Sequence, residues 1–169
     1  MSVALDMVRQ RAVADDDTFK GEYLQSLHLI ERLHRLLLDV IKDEFDRLGG
    51  SELNSVQALL LYNIGDSELT AGELKTRGYY LGSNVSYNLK KLVDMGYILY
   101  KRSETDRRSV RVSLSPKGLE ASEVVQKLYQ RQLGSVDAVA QITGEDFKHL
   151  NKSLMRLERY WTDQIRYRL

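Results

Sequence analysis

The sequence predicts a mainly α-helical fold carrying one small β-hairpin, an α+β arrangement with long flanking helices. Three observations predict it. Apolar residues recur at spacings of three and four over several long stretches. The period changes from 3.6 to 2 once, after Gly96. The only proline, Pro116, then restarts a helix with Ser115 before it as a cap. A chain of 169 residues is of one-domain length and can bury its own core.

The elements follow in chain order. Residues 1–18 are weakly patterned, end in Asp15-Asp16-Asp17, and read as a flexible N-terminal arm. From Phe19 to Leu48 a helical stripe runs through Leu24, Leu27, Ile30, Leu33, Leu37, Ile41 and Phe45, closed by Gly49-Gly50. A stripe of that length calls for more than one packing partner. Asn54 with Gln57 forms a capping box for a helix ending at Gly65, and Thr70 with Glu73 forms another for a short helix to about Arg77. A helix from Ser83 to Met95 is stopped by Gly96, with Val85, Leu89, Leu92 and Val93 facing inward. Residues 97–102 and 110–114 alternate as strands around the polar tip 103–109. A helix from Pro116 to about Leu133 follows. The last helix is capped by Thr143 with Asp146, and its apolar residues Phe147, Leu150, Leu154, Leu157 and Trp161 follow a heptad rhythm suited to helix-on-helix packing.

Charge is close to balanced over the chain and uneven along it. The total is 25 Lys and Arg against 24 Asp and Glu, a net charge of +1. Residues 1–68 carry −6, residues 69–111 carry +5 and residues 112–169 carry +2. A compact basic block is the footprint of a surface that faces a polyanion. The absence of cysteine excludes disulfides, thiol nucleophiles, Cys-ligated metals and cysteine redox sensing. His28, His34 and His149 have no metal-site spacing, since His28 and His34 lie on different faces of a helix. No nucleotide, hydrolase or zinc-protease motif occurs. The expectation is a non-enzyme without metal. The N-terminus lacks a signal-peptide pattern and no apolar run reaches membrane-spanning length, so the chain is expected in the cytoplasm with no membrane partner.

Two helices joined by a short turn and followed by a β-hairpin with a basic tip make a winged helix-turn-helix layout. Thr70-Ala71-Gly72-Glu73-Leu74, Ser83-Asn84-Val85-Ser86 and Lys91-Leu92-Val93-Asp94-Met95-Gly96-Tyr97-Ile98 resemble the MarR family of bacterial transcription regulators. So does the wing from Arg102 to Gly118, with Asp106 and Arg108 as its D-x-R element and Leu114-Ser115-Pro116-Lys117-Gly118 closing it. Residues 78–92 are further similar to an alphaproteobacterial LdtR-like subgroup, with Tyr87 and Asn88 departing from the family's usual basic and apolar residues. The resemblance implies a lobe at 53–115 within a single domain 19–169, with 19–48 and 116–169 as dimerisation helices. It also implies a homodimer, pseudo-palindromic double-stranded DNA operators, and repression relieved by a small-molecule effector. That effector would sit between the dimer helices and the lobe, where His28, Tyr62 and Tyr129 could supply polar groups.

In that layout Ser83, Asn84, Ser86 and Tyr87 stand at the end of the recognition helix that reads base edges. Ser83 or Asn84 could instead only cap it. Lys90 and Lys91, a turn further on, suit phosphates. Arg107 and Arg108 at the wing tip suit a narrow minor groove, and the resemblance pairs Asp106 with Arg108 to hold the wing's shape. Lys75, Arg77 and Arg102 are phosphate candidates. Tyr79 and Tyr80, being adjacent, divide between packing and a phosphate oxygen. Tyr160 and Trp161 fit a dimer core. The competing reading is a winged-helix protein-interaction module without a DNA role, which the +5 block disfavours.

Overall fold

The computed structural model describes residues 2–70, 73–74, 82–102 and 110–167. Helices α1 (Ser2–Arg47) and α2 (Ser55–Ile64) lead into strand β1 (Leu69–Thr70). Helix α3 (Gly82–Asp94) precedes strands β2 (Ile98–Arg102) and β3 (Val110–Leu114). Helices α4 (Pro116–Leu133), α5 (Val136–Ala140) and α6 (Gly144–Tyr167) complete the chain. The fold is mostly helical with a small antiparallel sheet, as expected.

Helix α1 begins at Ser2, where a flexible arm over 1–18 was expected. The stretch 2–18 has no glycine or proline, so nothing in it stops the helix propagating upstream. At its other end Gly49, at φ +103°, and Gly50 close the helix, their amides donating to the Asp46 and Phe45 carbonyls. Helix α2 starts on the expected capping box. The Gln57 amide donates to Asn54 Oδ1 at 2.9 Å, and the Asn54 amide donates to Gln57 Oε1 at 3.1 Å. Thr70 and Glu73 form a second such box, with Glu73 and Leu74 helical.

The sheet has the order β1-β3-β2 and is antiparallel throughout. Two-residue β1 is the strand that the sequence pattern did not show. Alternation puts Ile98, Val112, Leu114 and Leu69 inward, where all are buried. They join Leu60, Leu61 and Ile64 of α2, Leu89 and Leu92 of α3, and Tyr97 in one core. Ile41 of α1 is fully buried and Phe45 packs against this core, so the C-terminal end of α1 docks on α2.

The chain divides into two compact units, Met1–Val125 and Gln126–Leu169. The second holds the end of α4, the short helix α5 and α6. Thr143 and Asp146 cap α6, the Asp146 amide donating to Thr143 Oγ1 at 3.2 Å and the Thr143 amide to Asp146 Oδ2 at 2.9 Å.

Candidate nucleic-acid interface

Helix α3 is amphipathic. Leu89 and Leu92 are buried while Ser86, Tyr87, Lys90, Lys91 and Asp94 are exposed. Spacings of three and four from Ser86 and Tyr87 to Lys90 and Lys91 put these residues along one outward surface. Tyr87 is 66% exposed, a large aromatic ring held in solvent. Ser83 and Asn84 lie in the first turn of this helix.

Helix α3 ends in a Schellman motif. The Tyr97 amide donates to the Leu92 carbonyl at 2.9 Å and the Gly96 amide to the Val93 carbonyl at 3.0 Å. Gly96 sits at φ +78°, a left-handed conformation that glycine takes without Cβ strain. The reversal sends the chain straight into β2, so the helix and the hairpin are joined by one tight turn.

The register of the hairpin pairs Lys101 with Arg111. Both are exposed, on the face opposite the buried Val112 and Leu114. Like charges directly opposed on a sheet repel. Among the described residues, none of Lys90, Lys91, Lys101 and Arg111 has an ion-pair partner. These four cations leave their charge directed at solvent.

Lys101 and Arg111 are the functional candidates that motif reading passed over. Their alternation with buried residues was visible, but only the strand register puts them side by side. Arg102, opposite Val110 in the register, ends β2. Lys75, Arg77, Tyr79, Tyr80, Asp106, Arg107 and Arg108 lie outside the described residues.

A second group of polar contacts lies behind this surface. Ser115 Oγ donates to the Gly96 carbonyl at 2.7 Å and accepts from the Gly118 amide at 3.1 Å. Lys117 Nζ donates to Glu52 Oε1 at 2.6 Å and to the Met95 carbonyl at 3.0 Å, and lies 4.1 Å from the centre of the Tyr97 ring. The lysine ammonium, and then the Tyr97 hydroxyl, hold the Glu52 carboxyl below its ordinary pKa. Burial, and then its bond to Glu52, raise that of Tyr97. Gly118 cannot carry a side chain, because a Cβ there would lie 2.1 Å from the Tyr97 carbonyl oxygen.

A groove of about 410 Å³ runs beside α1, lined by Gln25, His28, Leu29, Glu31, Arg32 and Arg35. Of the polar groups considered for an effector, His28 lines it; Tyr62 on α2 and Tyr129 on α4 are each half-buried. Among the described residues no cluster of His, Asp and Glu could hold a metal, and no helix is long and apolar enough to cross a membrane.

A recognition-type helix turning at once into an antiparallel wing, with both presenting exposed cations that have no ion-pair partner among the described residues, defines a winged-helix DNA-binding lobe. Comparison agrees: a family model described as a winged helix DNA-binding domain matches residues 53–118. The chain is 35% identical over 159 residues to the exopolysaccharide II synthesis transcriptional activator ExpG of Rhizobium meliloti, covering 90% of this chain and 78% of that protein. In fold it is similar to the transcriptional regulator SlyA, with a TM-score of 0.70, 15% identity and coverage of 85% of this chain and 98% of that one. It is likewise similar to a mutant of MarR from E. coli complexed with operator DNA, with a TM-score of 0.62, 20% identity and coverage of 77% and 91%. The chain belongs to the MarR family of winged helix-turn-helix transcription regulators. It is a DNA-binding regulator and not an enzyme.

Proposed function

We propose that the chain acts in the cytoplasm as a homodimer that binds pseudo-palindromic operators, with a small molecule tuning its affinity. The observation that carries the DNA reading is the set of four exposed cations on α3 and the hairpin that have no ion-pair partner among the described residues. Lys90, Lys91, Lys101 and Arg111 then neutralise phosphates, joined by Lys75, Arg77 and Arg102. Ser83, Asn84, Ser86 and Tyr87 read base edges from the start of α3. Arg107 and Arg108 enter the minor groove, and Asp106 holds the tip's shape.

The dimer reading rests on apolar surface left over. Helix α1 leaves Leu29, Leu33 and Leu36 exposed at spacings of four and three, Leu33 by 59%. Helix α6 has no buried residue, and Phe147, Leu150 and Leu154 lie open. Contiguous apolar faces of this kind mark association surfaces. A two-fold dimer sets half-sites one helical turn apart, about 34–36 Å. The groove beside α1, with His28, Arg32 and Arg35 against Leu29, suits an anionic, partly apolar effector. For an operator overlapping a promoter, occlusion makes the dimer a repressor. A relative is named as a transcriptional activator, so activation is the competing outcome.

The test is selection of bound fragments from genomic DNA, followed by titration over a range of salt and transcription in vitro. A recovered inverted repeat bound by a species of two chains supports the proposal. Equal affinity for the selected and random DNA at every salt concentration overturns it. Arg107→Ala with Arg108→Ala is expected to weaken operator binding and to flatten the log–log salt slope by about one for each phosphate no longer neutralised.

A further inference from the structure

Three consecutive carbonyls form the turn between α3 and β2, and all three are bound by the start of α4. The Met95 carbonyl accepts from Lys117 Nζ, the Gly96 carbonyl from the Ser115 hydroxyl, and the Tyr97 carbonyl from the Ser115 amide at 3.0 Å. Lys117 is itself tied to Glu52, in the segment leading into α2, and lies over the Tyr97 ring. Capping accounts for the bond from the Gly118 amide to Ser115 Oγ, but not for the bonds Ser115 gives to the turn, nor for a cation with three separate partners converging on it.

We propose that Lys117 is a positioning residue for DNA binding, a clasp that fixes the angle between the recognition helix and the wing by joining the Met95 carbonyl, the Tyr97 ring and Glu52. The geometry gives the angle its weight. Strand β2 has 5 residues and extends about 17 Å from the turn at roughly 3.3 Å per residue. A 10° change at the hinge therefore moves the far end of the wing by about 3 Å, a full hydrogen-bond length. Helix and wing must touch one duplex at the same time, so such a shift takes one of them off it. Lysine suits the role because its ammonium has three donors and no acceptor, and Gly118 lets α4 start hard against the turn.

The proposal rests on α3 and the hairpin being the DNA surface. The experiment compares the full-length protein with Lys117→Met, Glu52→Gln and the double variant, titrated on a selected operator and on random duplex over a range of salt, with thermal melts of each. Lys117→Met keeps the apolar stem and removes the donors. Positioning predicts that each single variant weakens operator binding about fivefold, with the salt slope unchanged and random DNA little affected. The double variant is then no weaker than either single one.

A direct phosphate contact by Lys117 predicts the opposite for Glu52. Lys117→Met would flatten the slope by about one unit, and Glu52→Gln would tighten binding by removing a competing carboxylate. That pair of results overturns the proposal. So does wild-type operator affinity in Lys117→Met, or a loss that follows only the drop in melting temperature. If the wild-type chain itself binds no DNA, the DNA surface assigned to α3 and the hairpin fails first.

Discussion

Lys117 and Lys101 are lysines of one winged-helix lobe with opposite surroundings. Lys117 meets a carboxylate, a carbonyl and an aromatic ring. Lys101 faces Arg111 across the hairpin and has no carboxylate partner among the described residues. Arg47 with Glu44 and Lys42 with Asp46 repeat the first pattern on α1. Lys90 and Lys91 repeat the second on α3. Cations that hold the frame have their partners inside the chain. Lys90, Lys91, Lys101 and Arg111 have none among the described residues. Net charge averages over these two populations, which is why a chain at +1 can present a strongly basic surface.

If that division is real, frame substitutions change stability and leave the salt slope alone, and interface substitutions do the reverse. The largest effect belongs to the frame. Gly118→Ala forces a Cβ toward the Tyr97 backbone oxygen, which no rotamer relieves. Destabilisation of about 3 kcal/mol is expected, a fall in melting temperature of roughly 6–12 °C by calorimetry. Any protein that remains folded is expected to bind DNA with the wild-type salt slope. A changed slope would mean that the two regions are not separate.

The second effect belongs to the interface. Lys101→Ala with Arg111→Ala should lower operator affinity by about tenfold or more and flatten the slope by up to about two. Removing two opposed cations also relieves repulsion across the hairpin. The melting temperature is expected to hold or rise slightly, and a clear fall would move this pair into the frame. Third comes Asn54→Ala, which removes the acceptor for the Gln57 amide and should destabilise by about 1 kcal/mol, again with no change of slope.

Much of this was legible in the sequence because the signals were local. Three capping boxes, at Asn54, Thr70 and Thr143, form as their spacing requires. The stop at Gly96 and the hairpin strands fall within a residue or so of the pattern, since a Schellman turn and period-2 alternation depend on near neighbours. The motif Ser115-Pro116-Lys117-Gly118 was legible only as a helix start. Its further meaning, a grip on three carbonyls of the turn at Met95–Tyr97 about twenty residues upstream, is a tertiary fact that no local rule contains. The same holds for β1, whose two residues exist as a strand only through pairing with Arg111 and Val112. Lys101 and Arg111 are side by side only in the register of the hairpin, which no local pattern contains. The start of α1 was missed from the other side. Weak amphipathic pattern in 1–18 argued for an arm, while the lack of a stop signal favours helix.

The smallest effect probes the frame through protons. Glu52 has its folded pKa held down, first by the hydrogen bond from Lys117 and then by that from Tyr97. A depressed carboxylate contributes stability above the pKa it has when unfolded, and that contribution disappears as pH falls through the folded value. Lys117 is shifted upward by the same bond, so its contribution is present at neutral pH and is lost only as pH rises through the lysine range. The pair is largely exposed, so solvent screening keeps its effect below the other three. Melting temperatures of the wild type and Glu52→Gln should therefore differ most near neutral pH and converge in acid, below the ordinary carboxylate range. Asp146, lowered by its bonds from Thr143, titrates in the same window in both proteins and cancels in the comparison. Convergence would tie the Glu52 carboxylate to the frame, whereas a gap independent of pH would mean that the ion pair with Lys117 contributes nothing to it.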